Sequence, residues 1–356
     1  MISLFINEIF DRLNKANIQY AILRNYENLP HKPSDTEYFD LDLLVASRDL
    51  NRYLELVYKL AKKNKLFIVQ KIDREYVKTL RVVHIDENGN VEAVQLDSHI
   101  AGQNWWGFFY LTEDKIFSQK KNYKSYYVVS NFHQNLFNWL DKLFFGNYVK
   151  QKYKIEILKS LNANQQELLT FLYSVFGKKT ADDLASKITD GNLQATLKNR
   201  SQMIQKLKIY SIRRFPKLTF ISNIKFYYFE LMLYLFPPGL CCVFHPENRQ
   251  IIDFCFNQCK KVYLGDQMII KFDSASRLSW LRFYFRNVFP IVRKGGMVFV
   301  ETSKNTSFLK TKEILITKSK KEIIMEIFKS SQRGIFLGAT SISICQDYFN
   351  LLKNTF

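Results

Sequence analysis

Two aspartates alternate with leucines in residues 39–45, which read FDLDLLV. Successive side chains of a β-strand point to opposite faces of a sheet, so the pattern predicts a strand with Asp40 and Asp42 on one face. Leu41 and Leu43 then form the buried face. An Asp-x-Asp pair at a strand end also occurs where the side chains only cap or solvate the next helix, and that alternative stays open at this point.

A third carboxylate, Asp97, ends a second strand-like run at residues 91–97. Three carboxylates that meet on one sheet face repel one another unless a cation lies between them. Mg²⁺ or Mn²⁺ is the expected cation, because it takes hard oxygen ligands and keeps positions for substrate phosphates. Asp40, Asp42 and Asp97 are therefore the candidate metal ligands and catalytic residues.

The first 100 residues alternate helical and strand-like periodicity. Apolar residues recur at helical spacing in residues 2–16, and a second helix follows the acidic strand up to residue 63. Asn88-Gly89 is a strong signal for a hairpin turn between two strands. This order predicts an α+β arrangement in which helices cover one side of a small sheet, with strands at residues 20–23, 38–45, 66–72, 76–84 and 91–97.

The pattern changes twice along the chain, which predicts domains at residues 1–130, 131–236 and 237–356. The middle domain is expected to be helical, with helices at residues 135–145, 149–161, 165–176, 180–188 and 193–209. The last domain alternates strands and helices, which indicates an α/β fold with a mostly parallel sheet. Its expected strands are residues 240–244, 261–264, 297–300 and 313–317, and its expected helices are 246–259 and 323–330.

Positive charge is concentrated in the later part of the 356 residues. Residues 1–130 carry 18 Lys and Arg against 17 Asp and Glu, so the rest of the chain contributes +18 of the net charge of +19. Such a field suits nucleotides, nucleic acid, anionic lipid or an acidic polymer, although an AT-rich genome also enriches lysine. Residues 206–217 interleave basic and apolar side chains, which is typical of a helix on an anionic membrane, a nucleic-acid-binding helix or a solvated helix end.

The cysteines and the apolar segments bear on the cellular compartment. Five cysteines, all beyond residue 240 and in apolar settings, predict buried thiols and no disulfide framework. The N-terminus lacks the features of a signal peptide. Residues 226–244 contain Glu230 and a Pro-Pro-Gly break, so they predict an amphipathic helix, a turn and a buried strand. We expect a cytoplasmic protein, with peripheral association with the inner membrane face as an option.

Residues 1–130 resemble nucleotidyltransferase-like proteins of the DNA polymerase β superfamily. In that superfamily two aspartates on one strand and a third on a neighbouring strand hold Mg²⁺ and a nucleoside triphosphate, which implies these roles for Asp40, Asp42 and Asp97. The resemblance is closer to a bacterial subgroup found among surface-polysaccharide assembly genes, through ILRNYENLP at residues 22–30 and LDSH at residues 96–99. It implies transfer of a nucleoside monophosphate to a hydroxyl or phosphate acceptor, such as a sugar or a polymer.

The same resemblance implies substrate-binding residues. The superfamily has a Gly-Ser pair that cradles the triphosphate, where this chain has Arg24 and Asn25. Arg24 would replace the cradle with a charged fork to phosphate, or triphosphate binding has been lost. His99 lies two residues beyond Asp97 and would share its face, either as an assistant in catalysis or as a structural residue.

Residues 237–356 resemble P-loop kinases of the thymidylate kinase type in a degenerate form. The strand at residues 240–244 is followed by HPENRQ, which lacks the glycines and the lysine of a phosphate loop. Glu301-Thr302 stands where such kinases have Asp-Arg. We therefore expect an inactive kinase-like domain.

A Mg²⁺-dependent nucleotidyltransferase is the primary hypothesis from the sequence. The alternatives are an inactive nucleotide-fold scaffold, a basic protein that binds nucleic acid or a membrane surface, and an enzyme that adds nucleotides to RNA ends. An aromatic cluster, WWGFFY at residues 105–110, would stack a base or a sugar, or form part of the core.

Overall fold

The computed structural model of the chain describes residues 1–24, 26–31, 39–74, 76–146, 148–149, 151–235, 237–244, 249–263, 265–274, 276–302 and 319–332. Within these residues the protein is a mixed α/β structure with a mixed sheet, as the sequence predicts at that level. The strand expected at residues 313–317, and the candidate residue Asn25, lie outside the described residues.

The strands of the first 128 residues are β1 (Tyr20–Ile22), β2 (Asp40–Val45), β3 (Phe67–Asp73), β4 (Val77–Ile85), β5 (Val91–Ile100), β6 (Gly102–Trp105), β7 (Phe108–Thr112), β8 (Lys121–Tyr123) and β9 (Tyr126–Val128). Seven of them form a sheet in the order β3-β4-β5-β2-β1-β9-β8, and β6 pairs with β7 in a separate hairpin. The pairs β2–β5 and β1–β9 are parallel. The sequence predicted β1 to β5 and missed the four later strands.

Both faces of this sheet are covered. Helices α1 (Ile2–Lys15) and α2 (Leu50–Lys63) pack on one face, where Leu41 and Leu43 join their apolar side chains in a buried cluster. On the other face, for which the sequence predicts no helices, Leu44 and Ala46 pack against helices from the middle of the chain. The prediction of helices on one side was therefore incomplete, because the second layer comes from distant sequence.

The middle of the chain is helical, as predicted. After α3 (Glu113–Ser118) come α4 (Asn131–Phe144), α5 (Gln151–Ala163), α6 (Gln165–Phe176), α7 (Lys178–Thr189), α8 (Leu193–Thr196), α9 (Arg200–Arg214) and α10 (Pro216–Leu235). The single helix expected at residues 193–209 is wrong, because the chain turns between α8 and α9. The Asn192 side chain caps α8, and Thr196 accepts a hydrogen bond from the Trp139 indole at 3.0 Å, which holds this short helix against α4. Among the described helices none is long and apolar enough to cross a membrane.

The C-terminal part contains β10 (Leu240–Phe244), α11 (Arg249–Lys260), β11 (Gln267–Lys271), α12 (Arg277–Phe283), α13 (Phe289–Val292), β12 (Met297–Glu301) and α14 (Lys320–Gln332). The three strands form a parallel sheet in the order β10-β12-β11, as the alternating pattern predicted. The strand expected at residues 261–264 is absent from residues 261–263, and Leu264 lies outside the described residues. Val262 and Tyr263 are buried in the core as part of a turn, so their apolar character reflects burial and not a pleated strand.

The described cysteines are free thiols in this C-terminal core, as expected. Cys241, Cys242, Cys255 and Cys259 are all buried, and Cys345 lies outside the described residues. Burial raises the pKa of Cys241 and of Cys255 to about 12, so these thiols remain protonated and unreactive at neutral pH.

Candidate functional site

Parallel pairing of β2 with β5 brings the three predicted carboxylates together. Asp42 lies directly opposite Asp97 in the strand register, and Asp40 lies two residues before Asp42 on the same strand face. One ligand oxygen from each of the three aspartates lies within 4.8 Å of the other two. The strand alternation read from the sequence therefore leads to a compact acidic cluster.

The donors of this cluster fit a hard divalent cation. Asp42 is only 2% exposed, and the Asp40 Oδ1 atom is buried without a hydrogen-bond partner among the described residues. A buried carboxylate oxygen without a partner is costly, and a cation between the aspartates would satisfy it. Three carboxylate oxygens are the ligand type that Mg²⁺ and Mn²⁺ prefer.

Arg24 pairs with the central carboxylate of the cluster. Its Nε donates to Asp42 Oδ2 at 2.5 Å and its Nη2 to Asp42 Oδ1 at 3.3 Å, while Nη1 lies 3.8 Å from Asp141 Oδ2. His99 Nε2 is 3.6 Å from Asp42 Oδ1. Burial pushes the pKa of Asp42 upward, but Arg24 and His99 outweigh it and hold that pKa below its ordinary value. Asp42 therefore stays ionised at neutral pH.

The other two aspartates are shifted in the opposite direction. Burial, reinforced by the charges of Asp42 and Asp97, raises the pKa of Asp40 to about 8. Burial and the Asp42 charge also raise the pKa of Asp97. In the absence of a cation, Asp40 therefore keeps its proton at neutral pH, and a bound cation would displace that proton.

Hydrogen bonds from β4 and β5 orient Asp97. Thr79 Oγ1 donates to Asp97 Oδ1, and Gln95 Nε2 donates to Asp97 Oδ2 at 2.7 Å. Arg81 Nε in turn donates to Gln95 Oε1 at 2.7 Å, and its Nη1 donates to the Val262 carbonyl at 2.6 Å. This chain of hydrogen bonds connects the acidic cluster to the C-terminal part of the protein.

The sequence analysis missed these supporting residues, although a signal was present. The hairpin turn at Asn88-Gly89 pairs Ile85 with Val91. Antiparallel pairing keeps the sum of paired residue numbers constant, so counting outward from the turn places Thr79 opposite Asp97. The same count places Arg81 opposite Gln95.

A cleft of about 310 Å³ opens beside the acidic cluster. Its walls come from the sheet, from the β6–β7 hairpin, from α4 and from Lys294 in the C-terminal part. Arg74 and Lys294 are exposed in its lining, and no described residue forms an ion pair with either of them. The volume is within the range of small-molecule sites, and the two cations suit an anionic ligand.

The structure also shows where His99 and the aromatic cluster at residues 105–110 lie relative to the cleft. His99 lines the cleft on the face of Asp97, as expected. Most of the aromatic cluster belongs to the core, because Phe109 is buried and the Trp105 indole donates to the Phe144 carbonyl at 3.1 Å. Trp106 is 48% exposed and stacks on Trp105, with 5.2 Å between ring centroids.

The degenerate phosphate loop is described only in part. Residues 245–248 lie outside the described residues. Glu301 and Thr302, at the end of β12, are buried, and Glu301 Oε1 lies 3.6 Å from the Lys271 ammonium group. The carboxylate of Glu301 is thus partly neutralised within its own sheet.

Two comparisons with known proteins bear on the identity of this chain. No protein-family model matches it, and no curated protein matches it significantly.

Proposed function

We propose that this chain is a Mg²⁺-dependent nucleotidyltransferase, which moves a nucleoside monophosphate from a nucleoside triphosphate to a hydroxyl or phosphate acceptor. One observation carries the proposal: Asp40, Asp42 and Asp97 offer ligand oxygens within 4.8 Å of one another, beside a cleft in which Arg74 and Lys294 have no ion-pair partner among the described residues. The resemblance of residues 22–30 and 96–99 to the polysaccharide-associated subgroup supports a sugar or polymer acceptor in cell-surface glycan assembly.

The three aspartates would hold the cation with distinct roles. When bound, Mg²⁺ supplies charge neutralisation and Lewis-acid activation at the α-phosphate. Asp42 enters the cluster already ionised, while Asp40 has to release its proton first. Asp97 has a raised pKa and is held by Thr79 and Gln95, so it is suited to accept the proton of the acceptor hydroxyl.

The cleft supplies positive charge for the phosphates. Arg74 and Lys294 lie in its lining without ion-pair partners among the described residues, so both are available to an anionic ligand. Arg24 was expected to bind phosphate, and in this structure it pairs with Asp42. Binding of phosphate by Arg24 therefore remains a prediction. It requires the Arg24 guanidinium group to donate to Asp42 and to a phosphate together, or to move away from Asp42.

An inactive nucleotide-fold scaffold is the second candidate function. The Arg24–Asp42 pair favours it, because a guanidinium group partly supplies the positive charge that a metal would otherwise bring to the cluster. The unpartnered Asp40 Oδ1 atom argues for the metal, because Arg24 leaves that oxygen unsatisfied.

Calorimetric titration distinguishes the two functions. ATP, CTP, GTP and UTP, each with Mg²⁺, are titrated into the wild type, into the double variant Asp40→Asn/Asp42→Asn and into Asp114→Asn. Asp114 is exposed on α3 and serves as the matched control. We expect at least one triphosphate to bind the wild type and the control and to lose binding in the double variant. Absence of binding by all four triphosphates would favour the scaffold.

A further inference from the structure

Helix α10 turns large apolar side chains toward solvent. Phe220, Ile224, Tyr227 and Leu231 have exposed fractions of 67%, 55%, 71% and 55%. At 3.6 residues per turn these positions share one face of the helix and extend over roughly 16 Å of its axis. An apolar stripe of this length on the outside of a protein marks an interaction surface.

The opposite face of α10 already packs on the protein. Ser211 Oγ and Thr219 Oγ1 share a hydrogen bond of 2.7 Å between α9 and α10, in buried surroundings. The Phe226 ring stacks on Trp106 with 5.7 Å between centroids. The helix is thus held from one side, and its exposed stripe is available to something outside the described structure.

Basic residues accompany the apolar stripe. Residues 200–235 contain seven Lys and Arg and one acidic residue, a net charge of +6. The acidic residue, Glu230, is engaged by Arg293 at 3.4 Å. Lys208 is exposed and lies over the Trp105 and Phe108 rings. Four further basic side chains are exposed and form no ion pair with any described residue: Arg213, Arg214, Lys217 and Lys225.

We propose that this surface docks on an anionic lipid bilayer. The docking surface consists of the exposed apolar residues of α9 and α10 with the four exposed cations: Ile209, Ile212, Phe220, Ile221, Ile224, Tyr227, Tyr228, Leu231, Tyr234, Leu235, Arg213, Arg214, Lys217 and Lys225. Its aliphatic side chains would enter the boundary between headgroups and acyl chains, its tyrosines would lie at the interface, and its cations would contact anionic headgroups.

Two other occupants fit these residues less well. Nucleic acid would use the cations and the aromatic rings, but it offers nothing apolar to exposed aliphatic residues such as Ile224 and Leu231. A second copy of the chain would bring two surfaces of the same net charge, +6, against each other, which repels. A bilayer with anionic lipids satisfies the apolar stripe and the cations together.

A vesicle flotation assay tests the proposal independently of any transferase activity. The full chain is mixed with vesicles of phosphatidylcholine alone or with about 30% phosphatidylglycerol, an anionic fraction chosen to engage several basic residues. We expect the wild type to float with the anionic vesicles and to remain largely unbound with the neutral ones. The variant Ile224→Gln/Leu231→Gln should partition about tenfold less, because two aliphatic side chains no longer enter the bilayer. The partitioning of Lys217→Gln/Lys225→Gln should also fall about tenfold, and only with anionic vesicles.

The matched control changes two equally exposed aliphatic residues elsewhere. Ile155 on α5 and Leu278 on α12 are 71% and 59% exposed, so Ile155→Gln/Leu278→Gln should float like the wild type. Circular dichroism melts establish that every variant is folded. Failure of the folded wild type to float with anionic vesicles overturns the proposal, as does equal loss of flotation in the control. A wild-type dimer that Ile224→Gln/Leu231→Gln converts to monomer would assign the surface to a second copy instead.

Discussion

Asp40 combines a pKa raised to about 8 with a buried carboxylate oxygen that has no hydrogen-bond partner among the described residues. Its neighbour Asp42 has the opposite shift, although the two residues share one strand face. The difference comes from Arg24 and His99, which lie against Asp42, whereas at Asp40 burial and the neighbouring negative charges outweigh the weaker effect of Arg24. At the scale of single residues, Asp40 therefore destabilises the cation-free protein at the position where a cation would bind.

Replacing Asp40 by Asn should stabilise the metal-free protein at high pH. The raised pKa means that the stability associated with Asp40 is fully present below pH about 4 and is lost as the pH rises toward 8. Asp40→Asn removes this loss, so we expect a gain of about 1 to 3 kcal/mol at pH 8 and little change at pH 4. Urea unfolding with a chelator at both pH values measures the difference.

If the proposed function is correct, Mg²⁺ raises the melting temperature of the wild type. We expect Mg²⁺ to leave the melting temperature of Asp40→Asn unchanged. Asp114→Asn, at an exposed position on α3, should behave like the wild type in both measurements. An Asp40→Asn protein that is less stable than the wild type at pH 8 would contradict the prediction.

Arg24 should stabilise the fold through Asp42. Arg24→Gln leaves Asp42 buried without its main counter-charge, and we expect a loss of about 1 to 3 kcal/mol at pH 7, a range already reduced because Arg24 is 38% exposed. The lowered pKa of Asp42 means that this contribution is present above pH about 4 and is lost as the pH falls further. Denaturant unfolding measures the free energy of unfolding of the wild type and of Arg24→Gln, and the difference between the two proteins should be smaller at pH 3 than at pH 7.

The control for this prediction is an ion pair at the surface. Lys15 and Asp11 are 67% and 50% exposed at a distance of 2.8 Å, so Lys15→Gln should change stability by less than about 0.5 kcal/mol. If Arg24→Gln changes the free energy of unfolding by as little as Lys15→Gln does, the ion pair with Arg24 does not offset the cost of burying the charge of Asp42.

At the scale of elements, the β4–β5 hairpin and the parallel β2–β5 pair together build the cluster. β5 contributes Asp97 and pairs on one edge with β2, which contributes Asp42. On its other edge β5 pairs with β4, which contributes Thr79. A shift of either register by one residue would move its side chains to the opposite sheet face, so the pairing of these strands determines whether a cluster exists.

Thr79→Val should weaken cation binding without unfolding the protein. Valine has nearly the shape of threonine, but it removes the hydroxyl that donates to Asp97 Oδ1. Loss of a hydrogen bond that orients a metal ligand typically weakens metal affinity by about 10-fold, and we expect this for Mg²⁺ or Mn²⁺. Thermal shift titrated with MnCl₂ measures it.

Thr180→Val provides the matched control for Thr79→Val. Thr79 and Thr180 are each 9% exposed, but Thr180 lies on α7 and does not line the cleft. Its replacement should leave the cation affinity unchanged. Equal affinity in the wild type and in Thr79→Val would show that Asp97 does not depend on this hydroxyl.

At the scale of the whole molecule, the C-terminal part and the N-terminal sheet share one buried core. Val83 and Val91 of the sheet pack in the same cluster as Leu240, Phe299 and other residues of the C-terminal part. Polar contacts reinforce this interface: the Val91 N–H donates to Gln258 Oε1 at 2.9 Å in buried surroundings. The two parts are therefore expected to unfold together.

Gln258→Leu should destabilise the whole chain. It leaves the buried Val91 N–H without an acceptor, and we expect a cost of about 1 to 3 kcal/mol. Because the interface couples both parts, the fluorescence of the four tryptophans, of which Trp280 lies in the C-terminal part, and far-ultraviolet circular dichroism should show the same lowered midpoint. Gln134→Leu, which removes a long surface hydrogen bond of 3.4 Å, serves as control and should have little effect. Two separate transitions in the wild type would contradict the coupling.

Elements with a local periodic pattern could be predicted from the sequence, whereas elements that depend on burial or on pairing elsewhere in the chain could not. Alternation and helical spacing predicted β2 and α6, the latter with its bounds of Gln165–Phe176, because these elements bury one face of a local pattern. The expected strand was not found at residues 261–263, because a buried turn there has the apolar composition of a strand. The short strands β8 and β9, three residues each, were also missed: β9 takes its place in the sheet by pairing with the distant β1, and β8 then pairs with β9.

The sequence by itself determined that Asp40 and Asp42 share one strand face, because strand alternation places side chains two residues apart on the same side whatever the rest of the chain does. Only the tertiary structure decided that Asp97 lies opposite Asp42, that Arg24 neutralises one aspartate and not the other, and that Lys294 reaches the cleft. Strand order, ion pairing and burial depend on contacts between residues far apart in the chain. Local periodicity holds no information about such contacts, and it is they that set the pKa values and the charge of the site.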